Sequence, residues 1–294
     1  MRTLNIIGAG KLGRTLGRLW QERGVFRVGA ICNSSVASAD EAARFIGADH
    51  TGALPRACPA IAEMPAADYW LVGTGDSRIP AAARELGERL QGTNSTVFHC
   101  SGALGSTVLS PCRPAALASA HPVHSFATPE QSLRSLAGST VALEGDEQAV
   151  GDLREAFSAL ECRTLELAGT DKPLYHAASV LACNYLTALL DLSLRAYAAA
   201  GIERHQALEM LGPIVTQTLA NNLRLGPEAA LTGPIARGDL ETVAAHLSAL
   251  ETTDPTLLSC YRELGRACVE LAGRRGLDRE AAARLEQLLS EPNH

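Results

Sequence analysis

The sequence has little lysine, few aromatic residues and no strong excess of charge of one sign. Only Lys11 and Lys172 among its 26 basic residues are lysines, and aromatic residues make up 4% of the 294 positions. The net charge of −6 is modest, and it provides no basic patch of the kind that binds nucleic acid or an anionic membrane surface. The composition therefore predicts no nucleic-acid partner, and a small molecule is the expected one.

The sequence also lacks cysteines and histidines at metal-binding spacing, and it lacks an uninterrupted apolar run long enough to span a membrane. The eight cysteines form no C-x-x-C pair and have no zinc-like spacing with histidine, so we expect reduced thiols and no metal site. The longest apolar run, 177–194, is interrupted by polar residues, which favours a buried helix over a membrane span. The first predicted strand begins at residue 4, which predicts no signal peptide and a cytoplasmic protein.

What the sequence does contain is a glycine-rich turn between a strand and a helix. The apolar run Leu4–Ile7 leads into Gly8-x-Gly10-x-x-Gly13, and an amphipathic helix follows. The three glycines suit a tight turn, a close backbone approach to a pyrophosphate and close helix–strand packing. The free N–H groups of the helix N-terminus favour an anion. We predict a dinucleotide-binding turn made of Gly8, Ala9, Gly10, Lys11, Leu12 and Gly13.

Strand-like and helix-like segments alternate through the first half of the chain, the pattern of a doubly wound, mainly parallel sheet. The predicted strands are 4–7, 25–32, 69–72, 96–100, 115–120, 140–143 and 162–167, and the predicted helices are 12–23, 40–46, 79–90 (with Ser77 as cap) and 147–160. After residue 170 apolar residues recur only at helical spacing, over 173–200, 204–223, 240–250, 256–272 and 279–289. We therefore predict an α/β Rossmann domain over 1–168 and an all-α domain over 169–294.

The end of the second predicted strand bears on cofactor choice. NAD-binding proteins usually place a carboxylate there for the ribose 2′-hydroxyl. Here the strand ends in Asn33, Ser34 and Ser35, and the first carboxylate is Asp40. The small polar residues favour NADP over NAD, with Arg14 either as the missing positive charge or as a solvated helix residue.

Other strand ends are expected to line the same crevice, because ligands lie across the carboxyl ends of strands in this architecture. Gly73, Thr74 and Asp76 follow the third predicted strand, and Ser101 follows the fourth. We assign these four to the cofactor. Asp76 fits a cap of the following helix better than a catalyst, and Ser101 is also a candidate for catalysis.

Histidines mark two of these strand ends, with His99 after one and His121 and His124 after the next. A histidine facing the nicotinamide can give a proton to a carbonyl or imine, because its pKa lies near neutrality. We predict catalysis by His121, with His99 and His124 near the substrate.

The helical half adds further candidates. His176 and Asn184 lie two turns apart and about 80° round one helix, so a single crevice can contain both, although a partnered buried Asn is equally consistent. Both are predicted as catalytic. Thr232 and Arg237 lie in the segment 231–239, where Asp239 is a good helix cap, and are predicted to contact substrate or to form a plain turn.

Together these segments resemble a bacterial family of Rossmann-like proteins with a C-terminal helical domain of unknown function, usually described as NADP-dependent oxidoreductases. The glycine turn, His99–Ala103, His121-Pro122, the helix from Tyr175 to Asn184 and especially 231–239 carry the resemblance. More distantly the chain is similar to pyrroline-5-carboxylate reductase, ketopantoate reductase and enzymes like 6-phosphogluconate dehydrogenase. Those relatives imply a helical domain of the 6-phosphogluconate dehydrogenase C-terminal type and a homodimer built through it. The Lys-x-x-x-Asn motif of the hydroxyacid dehydrogenases is not matched, because His176 stands four residues after Lys172.

The function expected from these features is hydride transfer between NADP and a C=O or C=N bond of a small polar substrate, with ketopantoate-like compounds and cyclic imine acids as candidates. Two alternatives stay open. One is a catalytically silent regulatory protein that binds a nucleotide on the same fold, and the other is a dehydrogenase that uses a different nucleotide or a deazaflavin.

Overall fold

Eight strands form one sheet in the computed structural model, which describes residues 1–90, 92–167 and 169–290. They are β1 (Arg2–Ile7), β2 (Phe26–Cys32), β3 (Arg56–Cys58), β4 (Tyr69–Val72), β5 (Thr96–His99), β6 (Ala116–Pro122), β7 (Thr140–Gly145) and β8 (Arg163–Glu166). Their order is β3-β2-β1-β4-β5-β6-β7-β8, and every neighbouring pair is parallel except β6–β7. The predicted Rossmann-type, mainly parallel sheet is confirmed.

Seven of these strands lie within two residues of the predicted bounds. The helices are α1 (Lys11–Glu22), α2 (Val36–Ile46), α3 (Ile79–Arg89), α4 (Pro129–Ser135), α5 (Glu147–Ser158), α6 (Lys172–Ala199), α7 (Arg204–Leu225), α8 (Pro227–Ala230), α9 (Pro234–Arg237), α10 (Leu240–Glu251), α11 (Pro255–Arg274) and α12 (Arg279–Ser290). Only short elements were missed: β3, α4, α8 and α9.

Two helix starts differ from the prediction for local reasons. α2 begins four residues early, because the Ser35 side chain accepts a hydrogen bond from the Ser38 N–H and caps it. The predicted Ser77 cap of α3 is wrong, since a 3-10 turn over Asp76–Arg78 leads into that helix and no side chain caps it. The predicted Asp239 cap is confirmed, with its carboxylate accepting from the Thr242 N–H at the start of α10.

The sheet is covered by apolar residues on both faces. On one side Trp20 of α1 packs edge to face against Phe26 and Phe157, with ring centroids 5.3 and 5.2 Å apart. Its indole N–H donates to the Ala156 carbonyl oxygen, so the ring is fully buried without an unpaired donor. This packing holds α1, and with it the glycine turn, rigidly on the sheet.

The chain divides into two compact units, Met1–Asn184 and a second that begins at Tyr185. The predicted boundary at residue 168 lies outside the described residues, as do 291–294 at the end of the predicted helical domain. The first half of α6 belongs to the sheet-containing unit. The second unit is helical, with a core of Ile235, Val243, Leu247, Val269, Leu285 and Leu289.

Helix α6 is more exposed than the sequence predicts. The run 177–194 was expected to be a buried helix, but few residues of α6 are buried, Lys172 and Leu194 among them. By length and composition alone α6 could cross a membrane.

Candidate functional site

The three glycines of the turn meet three different environments. Gly8 has a φ of +87°, and a Cβ there would lie 2.6 Å from the Thr74 backbone nitrogen, so only glycine fits. A Cβ on Gly10 would have no atom within 4 Å, which leaves open space for a ligand. A Cβ on Gly13 would lie 3.1 Å from the Gly8 carbonyl oxygen. The turn therefore has the tight bend, open approach and close packing that the motif predicts.

The backbone N–H groups that can bind an anion are those of the first turn of α1, because the N–H groups of the glycine turn are already hydrogen-bonded within the protein. The N–H of Ala9 donates to the Asn33 side-chain oxygen at 2.7 Å, and the N–H of Gly10 donates to the Gly8 carbonyl oxygen at 2.9 Å. Gly10 is the N-cap of α1 and gives it no side-chain cap. The first-turn N–H groups of α1 consequently face the anion site with the positive end of the helix dipole.

A cleft of about 670 Å³ opens beside this turn at the carboxyl ends of β1, β2 and β4. Seven predicted cofactor residues line it: Gly8, Ala9, Gly10, Asn33, Ser34, Gly73 and Thr74. The other predicted cofactor residues, Lys11, Leu12, Gly13, Ser35, Asp76 and Ser101, do not line it. The prediction missed Ser38, the segment 59–61, Arg78 and Glu85, because none of them belongs to the glycine motif or to a predicted strand end.

The Asn33 side chain stabilises the wall of the cleft through hydrogen bonds. Its side-chain oxygen holds the Ala9 N–H, and its amide nitrogen donates to the Ser38 carbonyl oxygen at 3.0 Å. Asn33 thus ties the glycine turn to the start of α2. The Ser38 hydroxyl oxygen also accepts from the Asn33 amide nitrogen at 3.1 Å, which leaves its O–H, together with the Ser34 hydroxyl, to bind a ribose at this end of the cleft.

The cleft also contains an unpartnered polar atom. The Thr74 hydroxyl oxygen is buried and has no hydrogen-bond partner among the described residues. A buried hydroxyl of this kind needs a partner. This Thr74 hydroxyl and the open space beside Gly10 are both consistent with a dinucleotide bound in the cleft.

Ser101 and His99 organise the loop after β5. The Ser101 hydroxyl donates to the Asp76 carboxylate at 2.7 Å and accepts from the N–H groups of Ala103 and Leu104. His99 is fully buried, with Nδ1 accepting from the Ser101 N–H and Nε2 3.1 Å from the Gly105 carbonyl oxygen. Burial lowers the pKa of His99, and both of its ring nitrogens are used, so it stabilises the loop as a neutral residue.

Next to that loop, the sheet-containing unit brings two predicted histidines together. His121 and His176 lie with ring centroids 5.7 Å apart, and a Cβ on Gly102 would clash with both rings. The Tyr175 hydroxyl lies 2.9 Å from Nδ1 of His121. Nδ1 of His176 is buried and has no partner among the described residues. We call His121, Tyr175 and His176 the proton-donor cluster, after the role that is proposed for them below.

Burial and neighbouring charge set the protonation of this cluster. Burial above all, with the neighbouring His176 and the charge of Lys172, lowers the pKa of His121 to about 4. His121 is therefore neutral at physiological pH. Burial raises the pKa of Tyr175, which keeps its hydroxyl protonated.

Behind the cluster lies a buried lysine. Nζ of Lys172 donates to the Ser119 hydroxyl at 2.5 Å and lies 3.7 Å from the Glu144 carboxylate, which itself accepts from the N–H and hydroxyl of Ser106. Burial lowers the pKa of Lys172. Lys172 stands out in the sequence because it is one of only two lysines. It was not predicted as a site residue, because the Lys-x-x-x-Asn motif is not matched.

The remaining predicted residues are not part of this arrangement. His124 lies between the hydroxyls of Ser132 and Ser139, each 3.3 Å away, and Asn184 is exposed on α6. Thr232 and Arg237 belong to the second unit, where they line a cleft of about 600 Å³ with Arg275. Among the described residues, no group of three or more metal-ligating side chains is found.

Comparisons with known proteins agree with this fold. The solved structures that match include the NADP oxidoreductase candidate BF3122 of Bacteroides fragilis (TM-score 0.75, 20% identity, 92% of this chain and 98% of that one). They also include protein TM1727 of Thermotoga maritima (TM-score 0.70, 24% identity, 92% and 99%) and a pyrroline-5-carboxylate reductase of Coxiella burnetii (TM-score 0.57, 16% identity, 98% of each chain).

No curated protein matches the sequence. A family model, the domain of unknown function DUF2520, matches residues 139–268. The resemblance to Rossmann-like proteins with a helical domain of unknown function is thereby confirmed. Residues 139–268 are thus similar to the DUF2520 model, in a chain that has the fold of the Rossmann-type reductases.

Proposed function

We propose that this protein is an NADP-dependent oxidoreductase that reduces a C=N or C=O bond of a small polar substrate. The observation that carries the proposal is the open cleft over an uncapped helix N-terminus, joined to a cluster of proton-bearing side chains. The cleft and the cluster are connected along the chain and through one hydrogen bond. The cleft residues Thr74 and Gly75 lead to Asp76, whose carboxylate accepts from the Ser101 hydroxyl, and Gly102 follows Ser101 and lies against both histidine rings.

The residues of the cleft suit NADP. The first-turn amides of α1 would hold the pyrophosphate, and the Thr74 hydroxyl has no partner within the described part of the chain. Ser34, Ser38 and Arg14 line the end of the cleft where the ribose 2′ position lies in this fold, with no carboxylate at the end of β2. The Bacteroides fragilis neighbour, named for NADP, supports the same choice.

When bound, the cofactor would supply the hydride, and residues of the chain would supply the matching proton. Tyr175 holds its proton on the hydroxyl oxygen, and neutral His121 is hydrogen-bonded to that oxygen. Nδ1 of His176, to which no described residue is hydrogen-bonded, provides a second position beside it. Either the Tyr175 hydroxyl or His176 gives the proton to the substrate oxygen or nitrogen, and His121 orients the donor. The pyrroline-5-carboxylate reductase neighbour makes a cyclic imine acid the first substrate class to test, and ketopantoate-like compounds the second.

Turnover tests the proposal. NADPH oxidation is followed at 340 nm with cyclic imine acids, linear imines and 2-keto acids as substrates. Saturable oxidation with at least one class, and slower oxidation with NADH, is the expected result. Saturable binding of NADPH with no turnover across the panel would favour the silent nucleotide-binding alternative.

We also propose that the protein forms a homodimer through its helical half. Large apolar side chains are exposed on α6 and α7, among them Leu181, Tyr185, Ile214 and Leu223. Burial of such side chains against a second copy stabilises a dimer by the hydrophobic effect. Light scattering in detergent-free buffer should give the mass of two chains.

A further inference from the structure

Arg14 is fixed in the wall of the cleft by the glycine turn. It lies on the first turn of α1, its side chain is only 18% exposed, and Nε donates to the Ala9 carbonyl oxygen at 3.1 Å. Ser34 and Ser38 line the same cleft. Arg14 is therefore held beside the position that an NADP 2′-phosphate takes in this fold.

A carboxylate already neutralises this arginine. Nη1 of Arg14 lies 2.7 Å from Oε1 of Glu41, on the neighbouring helix α2. The hydrogen bond and the charge of Arg14 lower the pKa of Glu41, so the pair is ionised at neutral pH. Glu41 does not line the cleft itself, and its side chain is 64% exposed.

We propose that Glu41 competes with the 2′-phosphate for Arg14 and so limits how strongly the cleft prefers NADPH to NADH. This inference rests on the proposed cofactor role of the cleft. A 2′-phosphate carries up to two negative charges, which Glu41 repels, whereas the neutral 2′-hydroxyl of NADH is indifferent to that carboxylate.

Arg14 keeps its place without Glu41. Its Nε bond to the Ala9 carbonyl oxygen is independent of the ion pair, so removing the carboxylate frees N–H donors without releasing the side chain. The other charged residues that line the cleft are Arg78 and Glu85, in the 3-10 turn before α3 and in α3 itself. A change at Glu41 leaves both unaltered.

Dissociation constants of four ligands test the inference. NADPH, NADH, adenosine 2′,5′-bisphosphate and 5′-AMP are titrated against the wild type and Glu41→Gln. The variant should bind NADPH and the bisphosphate about fivefold more tightly, with NADH and 5′-AMP unchanged. In an Arg14→Gln background, the gain from Glu41→Gln should be clearly smaller, because only the direct repulsion of the phosphate is then relieved and no arginine is freed.

Glu22→Gln is the matched control, because Glu22 pairs with Arg18 on the same helix at 2.7 Å and neither residue lines the cleft. It should change none of the four constants. Equal tightening of NADPH and NADH by Glu41→Gln, or weaker NADPH binding, would overturn the inference and leave the proposed function standing. Absence of wild-type binding to both dinucleotides would overturn the proposed function and the inference with it.

Discussion

Gly8 and Gly10 lie two residues apart in the same turn, and the structure gives them opposite requirements. Gly8 has a positive φ and contacts the Thr74 backbone, whereas Gly10 has an ordinary φ of −74° and open space beside it. The first glycine is needed for folding and the second for ligand access. Sequence alone cannot separate these needs, because both residues satisfy the same motif.

Thermal unfolding of two variants tests this difference. Gly8→Ala should lose about 2 kcal/mol or more of unfolding free energy, through the unfavourable φ and the contact with Thr74. Gly10→Val should unfold within a few degrees of the wild type, since its side chain enters open space. Equal destabilisation by both would contradict the assigned roles.

His121 should make the protein less stable as the pH falls. Its pKa is lowered from 6.5 to about 4 in the folded state, so between these values the unfolded chain binds more protons than the folded one. The contribution of His121 to stability is complete above pH 6.5 and is lost as the pH falls towards 4. The measurement is Tm against pH for the wild type and His121→Gln. Curves of identical slope between pH 4 and 6.5 would contradict the shift.

Variants of the proton-donor cluster should separate chemistry from binding. Tyr175→Phe and His176→Gln each remove a candidate proton donor, so the true donor's variant should lower kcat about 100-fold with little change in the Kd of NADPH. Tyr261→Phe is the control, since it removes a similar Tyr–His hydrogen bond of 2.8 Å to His246 in the second unit. If kcat and NADPH affinity fall together, the residue replaced is structural.

At the scale of elements, local sequence predicted most helices and strands and missed the short ones. β3 has three residues and α8 and α9 have four each, too few for hydrophobic periodicity to develop. The start of α2 was missed because the Ser35 side chain caps the helix, which therefore begins four residues before the predicted start at residue 40. Periodicity also cannot say what covers a helix, and so the exposure of α6 was not foreseen.

The exposed helices give a testable consequence. Leu181→Glu places a charge on the exposed surface of α6, where the side chain is 63% exposed. If that surface joins two copies, the variant should shift the mass measured by light scattering from two chains towards one. An unchanged dimer would place the interface elsewhere, and a wild type that needs detergent would favour membrane insertion of α6 instead.

Across the whole molecule, the sequence predicted the fold and the phosphate end of the cleft better than the chemistry. The glycine turn is a local feature, and its neighbours Asn33, Gly73 and Thr74 follow from the parallel order of strands. The proton-donor cluster depends on long-range contacts between the end of β6 and the start of α6, some 54 residues apart for His121 and Tyr175. Tyr175 and Lys172 were therefore missed as site residues.

The most direct test of the account is a fluorescence titration of NADPH against the wild type and Gly10→Val. We predict saturable enhancement of NADPH fluorescence by the wild type, and none by the folded Gly10→Val variant, whose side chain occupies the space above the helix N-terminus. Absence of saturable binding of NADPH and NADH to the wild type at millimolar concentration, or full binding to Gly10→Val, would contradict it.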